Sequence, residues 1–297
     1  MPYKMPFNYL LNPGHSACAG CGEILAMRHI LQAAGKNTII SNATGCSEVT
    51  TTKYPTSSFK VPWIHANFEN AAPVASGVLA ALKTKGLDKE TNVIAWGGDG
   101  ATHDIGVGQI SGMWERGENI LYVCLDNEAY MNTGMQASGS TPLNANTTTT
   151  QPGKESFGNQ LRKKNMMRIA LAHGCTYVAS ATCGNVLDLQ GKVKKALSIK
   201  GPKYIQVLVT CVPGWYTDPK DTIQVARLAE QTGIYPVVEY VDGKISAVAK
   251  VPKPRPKVEE YLKLQGRYKH LFNQKGGEKE IAQIQKIADE NVEKYEL

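Results

Sequence analysis

The chain has 297 residues, long enough for one large α/β domain or two small ones, and 42% hydrophobic against 20% charged residues excludes a disordered polypeptide. No run reaches eighteen apolar residues, so no segment is expected to cross a membrane. The start, Met1 to Pro6, lacks the apolar core of a secretory signal, which points to the cytoplasm. The net charge of +7 suits an anionic cofactor or an acidic partner, but the basic residues are dispersed. Residues 251–297 hold ten Lys and Arg against eight Asp and Glu, so nucleic acid is not an expected partner. Lys192, Lys194 and Lys195 read as a solvated helix face.

In chain order, a helix is predicted over 22–34, a strand over Thr38–Ser41 and a helix over 70–84. A strand over Val93–Trp96, a helix over 104–116 and a strand over Ile120–Leu125 follow. Ala137–Asn159, rich in Ser, Thr, Gly, Pro and Asn, reads as a lid or binding loop. Beyond it come a helix over 159–173, a strand over Thr176–Ala179, a helix over 184–198 and a strand over Tyr204–Val209. Short, almost wholly apolar strands alternating with helices predict a doubly wound, mostly parallel α/β sheet. A hairpin over 237–249 turns at Asp242-Gly243, and Val251–Pro256 reads as an extended linker leading to helices near 257–271 and 277–294. The expected division is a main unit over 1–235 and a C-terminal hairpin and helical extension over 236–297.

The first chemical signal is Trp96-Gly-Gly-Asp-Gly-Ala-Thr-His-Asp104, between a strand and a helix. Gly97, Gly98 and Gly100 let the backbone approach an anion, and the helix that follows presents free N–H groups. Asp99 offers a carboxylate to a hard cation. Twenty-eight residues on, after the next strand, Asn127 offers a side-chain carbonyl and Ala129 a main-chain carbonyl. With phosphate oxygens and water, these complete the octahedral oxygen shell that Mg²⁺ prefers. A dinucleotide loop fails, because Gly106-Val-Gly-Gln-Ile-Ser111 lacks the third glycine and lies in a helical pattern. A GDG turn followed by Asn at this spacing is the signature of thiamine-diphosphate enzymes.

Seven cysteines without a secretory signal argue against a disulfide framework. Cys124, Cys175 and Cys183 lie in apolar or mixed stretches and read as core filler. Cys18 and Cys21 form a CxxC, with Cys46 and Cys211 as distant singles. Four such thiolates suit either a structural Zn²⁺ or a [4Fe–4S] cluster, and spacing alone leaves both open. A thiamine site nearby favours iron–sulfur, since that chemistry needs an electron acceptor.

Several segments together resemble the β subunit of pyruvate:ferredoxin oxidoreductase and related 2-oxoacid:ferredoxin oxidoreductases. They are His15-Ser-Ala-Cys-Ala-Gly-Cys-Gly-Glu23, Thr44-Gly-Cys-Ser-Glu48, Phe68-Glu-Asn-Ala-Ala-Pro73, Gly98-Asp-Gly100, Asp126-Asn-Glu-Ala-Tyr-Met-Asn-Thr-Gly134, Thr210-Cys-Val-Pro-Gly-Trp215 and Tyr261-Leu-Lys-Leu-Gln-Gly-Arg267. The resemblance covers nearly the whole chain. It implies a thiamine-diphosphate-binding α/β fold, with Cys18, Cys21, Cys46 and Cys211 on a [4Fe–4S] cluster and Asp99, Asn127 and Ala129 on Mg²⁺. Gly98, Asp99, Gly100 and Ala101, with Asn127, Glu128, Ala129, Tyr130, Met131 and Asn132, match the diphosphate-binding segments. Glu23 and Cys46 also line the cofactor, and Asn132 and Glu23 are the implied catalytic residues.

The activity this implies is oxidative decarboxylation of a small 2-oxoacid with electrons passed to ferredoxin. The implied partners are an α-type subunit supplying a carboxylate to the cofactor's pyrimidine side and a ferredoxin-like subunit or domain with further clusters. Coenzyme A is the implied acyl acceptor with pyruvate. Two positions depart from the family pattern: Ser16 where many relatives carry Arg, and His103 after the GDG turn. His103 reads as a surface residue at a helix N-terminus; if it faces the pocket, it suits a second substrate anion and brings in oxalate, which needs no coenzyme A. The rival readings are a non-redox thiamine decarboxylase subunit with structural zinc, and an electron-transfer module with a bound anion.

Overall fold

A computed structural model describes residues 9–297, so the reading made on Met1 to Pro6 lies outside the described residues. The apolar runs form strands β1 (Thr38–Ala43), β3 (Asn92–Gly98), β4 (Leu121–Asp126), β5 (Tyr177–Thr182) and β6 (Lys203–Leu208), with β2 (Trp63–Ala66) at one edge. These six pair in parallel, and the hairpin β7 (Val238–Val241) and β8 (Lys244–Val248) extends the sheet antiparallel from β5. The order is β2-β1-β3-β4-β6-β5-β7-β8. The chain runs outward from β1 to β2 and then returns to β3 on the other side of β1, a topological switch point of the kind where open α/β sheets bind ligands.

Burial on both faces explains the unalternating composition of β4. Leu121, Val123 and Leu125 pack with Met27, Ile30, Leu189 and Val193 on one face. Ile120, Tyr122 and Cys124 pack with Ala75, Leu79, Met113 and Trp114 on the other. Helices Gly22–Ala34 and Val186–Ser198 cover the first face; Ala71–Lys85, Val107–Glu115 and Met166–Ala172 cover the second. A third cluster joins Trp215, Tyr235, Val258, Leu262, Leu271 and Ile284, seating the C-terminal segments beside β6.

The structure departs from the sequence pattern in several places. β2 is short and half exposed, so it carries no apolar run; it is tied in by Trp63 Nε1, which donates to Asn42 Oδ1 at 3.2 Å. The helix expected from 104 begins earlier as a π-helical turn, Gly100–Ile105, where Gly106 N–H donates to Ala101 O at 2.9 Å. The helix expected over 159–173 begins only at Met166, capped by Asn165, whose Oδ1 accepts from Arg168 N at 2.9 Å. Thr222–Gln231 adds a helix. Lys192 is buried on Asp188 at 2.6 Å, which corrects the solvated reading of that lysine. Among the described residues no helix is long and apolar enough to cross a membrane.

Candidate active site and cysteine cavity

Cys46, Asp99, Asn127 and Cys211 each follow the carboxyl end of a parallel strand: β1, β3, β4 and β6. Cys18 and Cys21 reach them by backbone docking. Cys21 N–H donates to Cys18 O at 3.1 Å, closing the CxxC turn, and Gly22 N–H donates to Thr210 O at 3.0 Å, beside Cys211. Gly20 has φ +74, and a Cβ there would stand 2.7 Å from Pro219 O, so the turn requires glycine.

The four cysteines line one cavity of about 250 Å³, together with Glu23, Ser47, Asn127, Met131, Asn132 and Thr210. All are free thiols. Burial, reinforced by the Glu23 carboxylate, pushes the Cys21 thiol up to about 12, and burial does the same for Cys211. Cys46 is raised further by burial, Glu23, Cys211 and Cys21. Burial thus keeps the Cys21, Cys46 and Cys211 thiols protonated near neutral pH unless a positive charge is brought beside them. Among the described residues no group of three or more His, Cys, Asp or Glu side chains closes into a shell for a single metal ion. Cys124, Cys175 and Cys183 are buried in the core, as expected of filler.

Asp99 and Asn127 form the other half of the site. Asp99 is 1% exposed and its Oδ2 accepts from Ser138 Oγ, while its Oδ1 is buried with no partner. Asn127 Nδ2 donates to Glu23 Oε2 at 3.3 Å, which leaves its own Oδ1 buried and partnerless as well. Two such orphaned oxygens are costly in a folded chain. A hard cation satisfies both, so the residues present fit Mg²⁺. The charge pattern agrees: burial and the Asp126 carboxylate hold the Asp99 carboxyl well above its ordinary range. Asp126, buried equally, is held below it by Lys163, with a contact of 2.7 Å. Lys163 contacts Asp126 directly and reaches Asp99 only at a distance, so burial and the neighbouring carboxylate prevail at Asp99.

The backbone here is shaped for close approach. A Cβ on Gly100 would stand 2.3 Å from the Tyr130 ring, whose hydroxyl donates to Asp104 Oδ2 at 3.0 Å. Ala101 and Ala129 are buried, and Gly98 is open enough to accept a Cβ. Met131 and Asn132 lie in a turn at the cavity mouth, with Asn132 exposed. Glu23 is buried in the first turn of its helix, and burial pushes its carboxyl up to about 7, Asn127 and a Ser47 backbone bond opposing. His103 is fully buried in the π-helical turn, where its Nδ1 lies 3.2 Å from Asp99 O, and burial lowers it to about 4. It is no surface histidine, and it is not among the residues lining the cavity.

Other residues support the site in roles that the sequence reading does not assign. Ser138 and Ser140 bring the Ala137–Asn159 segment onto Asp99 and Asp126, Ser140 Oγ donating to Asp126 Oδ1 at 2.7 Å. Lys163 joins Asp126 to Glu128 Oε1 at 2.9 Å. Arg267 Nη2 donates to Glu128 Oε2 at 2.6 Å. A larger cavity of about 400 Å³ lies beyond Glu128 and Lys163, toward the C-terminal helix, and contains none of the proposed ligand oxygens or thiols.

Comparison with known proteins places this geometry. Residues 43–207 match the family model "Thiamine pyrophosphate enzyme, C-terminal TPP binding domain". The pyruvate synthase subunit PorB of Methanosarcina barkeri is 52% identical over 297 residues, covering all of both chains. PorB of Methanocaldococcus jannaschii is 52% identical over 97% of this chain and 96% of its own. The ketoisovalerate oxidoreductase subunit VorB of Pyrococcus abyssi is 42% identical over 90% and 88%. A solved 2-oxoglutarate:ferredoxin oxidoreductase from Magnetococcus marinus superposes with a TM-score of 0.58, covering 76% of this chain and 81% of that one at 22% identity, which is a likeness of fold.

Proposed function

The chain belongs to the β-subunit family of the thiamine-diphosphate-dependent 2-oxoacid:ferredoxin oxidoreductases, and from that premise we propose that its substrate is pyruvate and that it holds Mg²⁺–thiamine diphosphate beside a [4Fe–4S] cluster. The observation that carries the reading is the pair of buried, partnerless oxygens, Asp99 Oδ1 and Asn127 Oδ1, facing a cation requirement next to a cavity lined by four thiols. When bound, the thiamine group supplies an electron sink for decarboxylation and the iron–sulfur group an acceptor for single electrons.

The chain's own residues hold and orient these groups. Asp99 and Asn127, with the main chain at Ala129, offer the cation its protein oxygens, and the Gly98–Ala101 turn admits the diphosphate. Cys18, Cys21, Cys46 and Cys211 offer four thiolates around a volume, an arrangement suited to a cluster; a single Zn²⁺ draws four sulfurs to about 2.3 Å of one point. Glu23, whose carboxyl burial pushes up to about 7, holds or releases a proton while its Oε2 accepts from Asn127 Nδ2. Asn132, exposed at the mouth, orients the incoming carboxylate, while Ile24, Met27, Met131 and Val212 keep the interior apolar. The pyrimidine-side carboxylate comes from an α-type partner subunit, coenzyme A takes the acyl group, and a ferredoxin-like subunit with further clusters carries electrons to ferredoxin. Pyruvate is favoured over oxalate because His103 does not line the cavity and relatives at about half identity are pyruvate synthase subunits.

The test is ferredoxin reduction by the anaerobically assembled complex with pyruvate, ketoisovalerate, 2-oxoglutarate or oxalate, with and without coenzyme A. The highest kcat/KM is expected for pyruvate with coenzyme A, and no activity without thiamine diphosphate and Mg²⁺. A preference for oxalate without coenzyme A overturns the substrate assignment.

A further inference from the structure

Arg267 lies in the C-terminal extension, 140 residues beyond Asn127, yet it is 2% exposed and sits between the two halves of the site. Its Nη2 donates to Glu128 Oε2 at 2.6 Å, and its Nε to Gln265 Oε1 at 2.9 Å. Its guanidinium carbon stands 3.8 Å from the centre of the Trp215 ring, a close stack of cation on aromatic. Trp215 Nε1 in turn donates to Asn127 O at 2.8 Å. Arg267 therefore grips the Asn127 loop twice, once through the Glu128 side chain and once through the indole.

The other partner is the Cys211 turn. Trp215 N–H donates to Cys211 O at 2.8 Å, so the indole is held by the same short helix that presents the thiol. Gly214 lets Met131 of the diphosphate loop press onto that helix; a Cβ there would stand 2.1 Å from Met131 Sδ and 3.2 Å from Cys211 Sγ. Glu128 has φ +69, in the left-handed region that a non-glycine residue avoids, and its backbone is held there by Asp126 Oδ1, which accepts from its N–H at 3.1 Å, and by Thr141 Oγ1, which donates to its carbonyl at 2.8 Å. Neither bond ties the turn to the Cys211 side. Lys163, on the other Glu128 oxygen, secures the loop to Asp126 but touches nothing on the Cys211 side.

We propose that Arg267 is a positioning residue: through the Glu128 side chain and the Trp215 indole it clamps the Asn127–Asn132 loop against the Cys211 turn, so that the cation-binding oxygen of Asn127 and the thiol of Cys211 are set in one register. This rests on the reading of Asn127 as a Mg²⁺ ligand. A lysine cannot replace it, since an ammonium pairs with Glu128 but offers no plane to Trp215.

The experiment measures thiamine diphosphate affinity at saturating Mg²⁺, and the melting temperature, in the assembled complex. The variants are Arg267→Met, the double variant Glu128→Gln with Arg267→Met, Arg267→Lys and Asp99→Asn. Arg267→Met leaves half of the Glu128 charge unpaired, so it lowers both quantities, with affinity down by about tenfold, as for supporting residues around a metal site. In the double variant no buried charge is stranded, so the melting temperature recovers, while affinity stays within about threefold of the single variant. A clamp predicts that split; a purely structural ion pair predicts that affinity returns with stability, which overturns the proposal, as does wild-type affinity in Arg267→Met. If Arg267→Met does not fold, Arg267→Lys decides: weakened affinity at the wild-type melting temperature supports the clamp, and unchanged affinity refutes it. Wild-type affinity in Asp99→Asn refutes instead the Mg²⁺ reading beneath it.

Discussion

Gly22→Ala tests how the CxxC turn is brought to Cys211. A Cβ at this position would stand 2.6 Å from Thr210 N, 2.7 Å from Thr210 Oγ1 and 2.8 Å from Cys183 Sγ. One of these atoms is main chain and cannot rotate aside, so the helix start must lift away from Thr210. Overpacking of this kind costs about 1–3 kcal/mol. The lifted Gly22 N–H also loses its 3.0 Å bond to Thr210 O, adding about 1 kcal/mol. For a chain of this size that corresponds to a melting temperature lower by about 4 °C or more. Because the displacement separates Cys21 from Cys211, the iron-to-chain ratio of anaerobically purified protein should fall with it. Gly77→Ala is the counterpart: nothing lies within 4 Å of its added Cβ in the Ala71–Lys85 helix, so it should stabilise by up to about 1 kcal/mol and leave iron unchanged. Wild-type melting and wild-type iron in Gly22→Ala refute the docking of the turn on Thr210.

Asp99→Asn should abolish the Mg²⁺ dependence of thiamine diphosphate binding, measured by titration calorimetry, without lowering the melting temperature of the metal-free chain, because it removes a buried carboxyl that burial and Asp126 oppose and whose Oδ1 has no partner. Glu239→Gln should loosen the hairpin on β5: burial raises this carboxyl, but hydrogen bonds from Lys195, Tyr177 and Ser246 more than offset that and leave it below its ordinary range. A lowered carboxyl contributes stability above the unfolded-state value and loses it as pH falls through the folded one. The variant should therefore be less stable at pH 7, by about 1 kcal/mol given the half-exposed lysine, and converge with wild type as the pH falls through the lowered carboxyl range. A difference that persists in acid would count against the ion pair as its cause.

Much of the sheet was legible because strands buried on both faces leave unbroken apolar runs; β4 and β6 fell within one residue of expectation. The edge strand β2 was not, since a half-exposed strand of 4 residues leaves no such run. Cysteines and GDG loop announced themselves because their chemistry demands particular residue types, and the fold gathers Cys18, Cys21, Cys46 and Cys211 at one cavity. The supporting network left no trace of its pairings, although Asp126 and Arg267 fall inside the family-like segments. Asp126, Lys163, Gln206 and Arg267 are spread over 141 positions, and only the sheet register and the C-terminal cluster bring them together. His103 was misread as a surface residue because the π-helical turn, which rotates it inward, has no sequence signature of its own. Ala137–Asn159 read as a lid or binding loop from its composition, but that composition did not show that Ser138 and Ser140 pin it to the two buried aspartates.

Iron and acid-labile sulfide analysis of the anaerobically purified protein, in wild type, Cys211→Ser and Cys175→Ser, addresses the central claim most directly: that thiols converging beside the thiamine loops make this chain an electron-accepting subunit. The account predicts about four iron and four sulfide per chain in wild type and in Cys175→Ser, whose thiol is core filler, with loss of both in Cys211→Ser. Stoichiometric zinc without sulfide, or iron retained undiminished in Cys211→Ser, would contradict it.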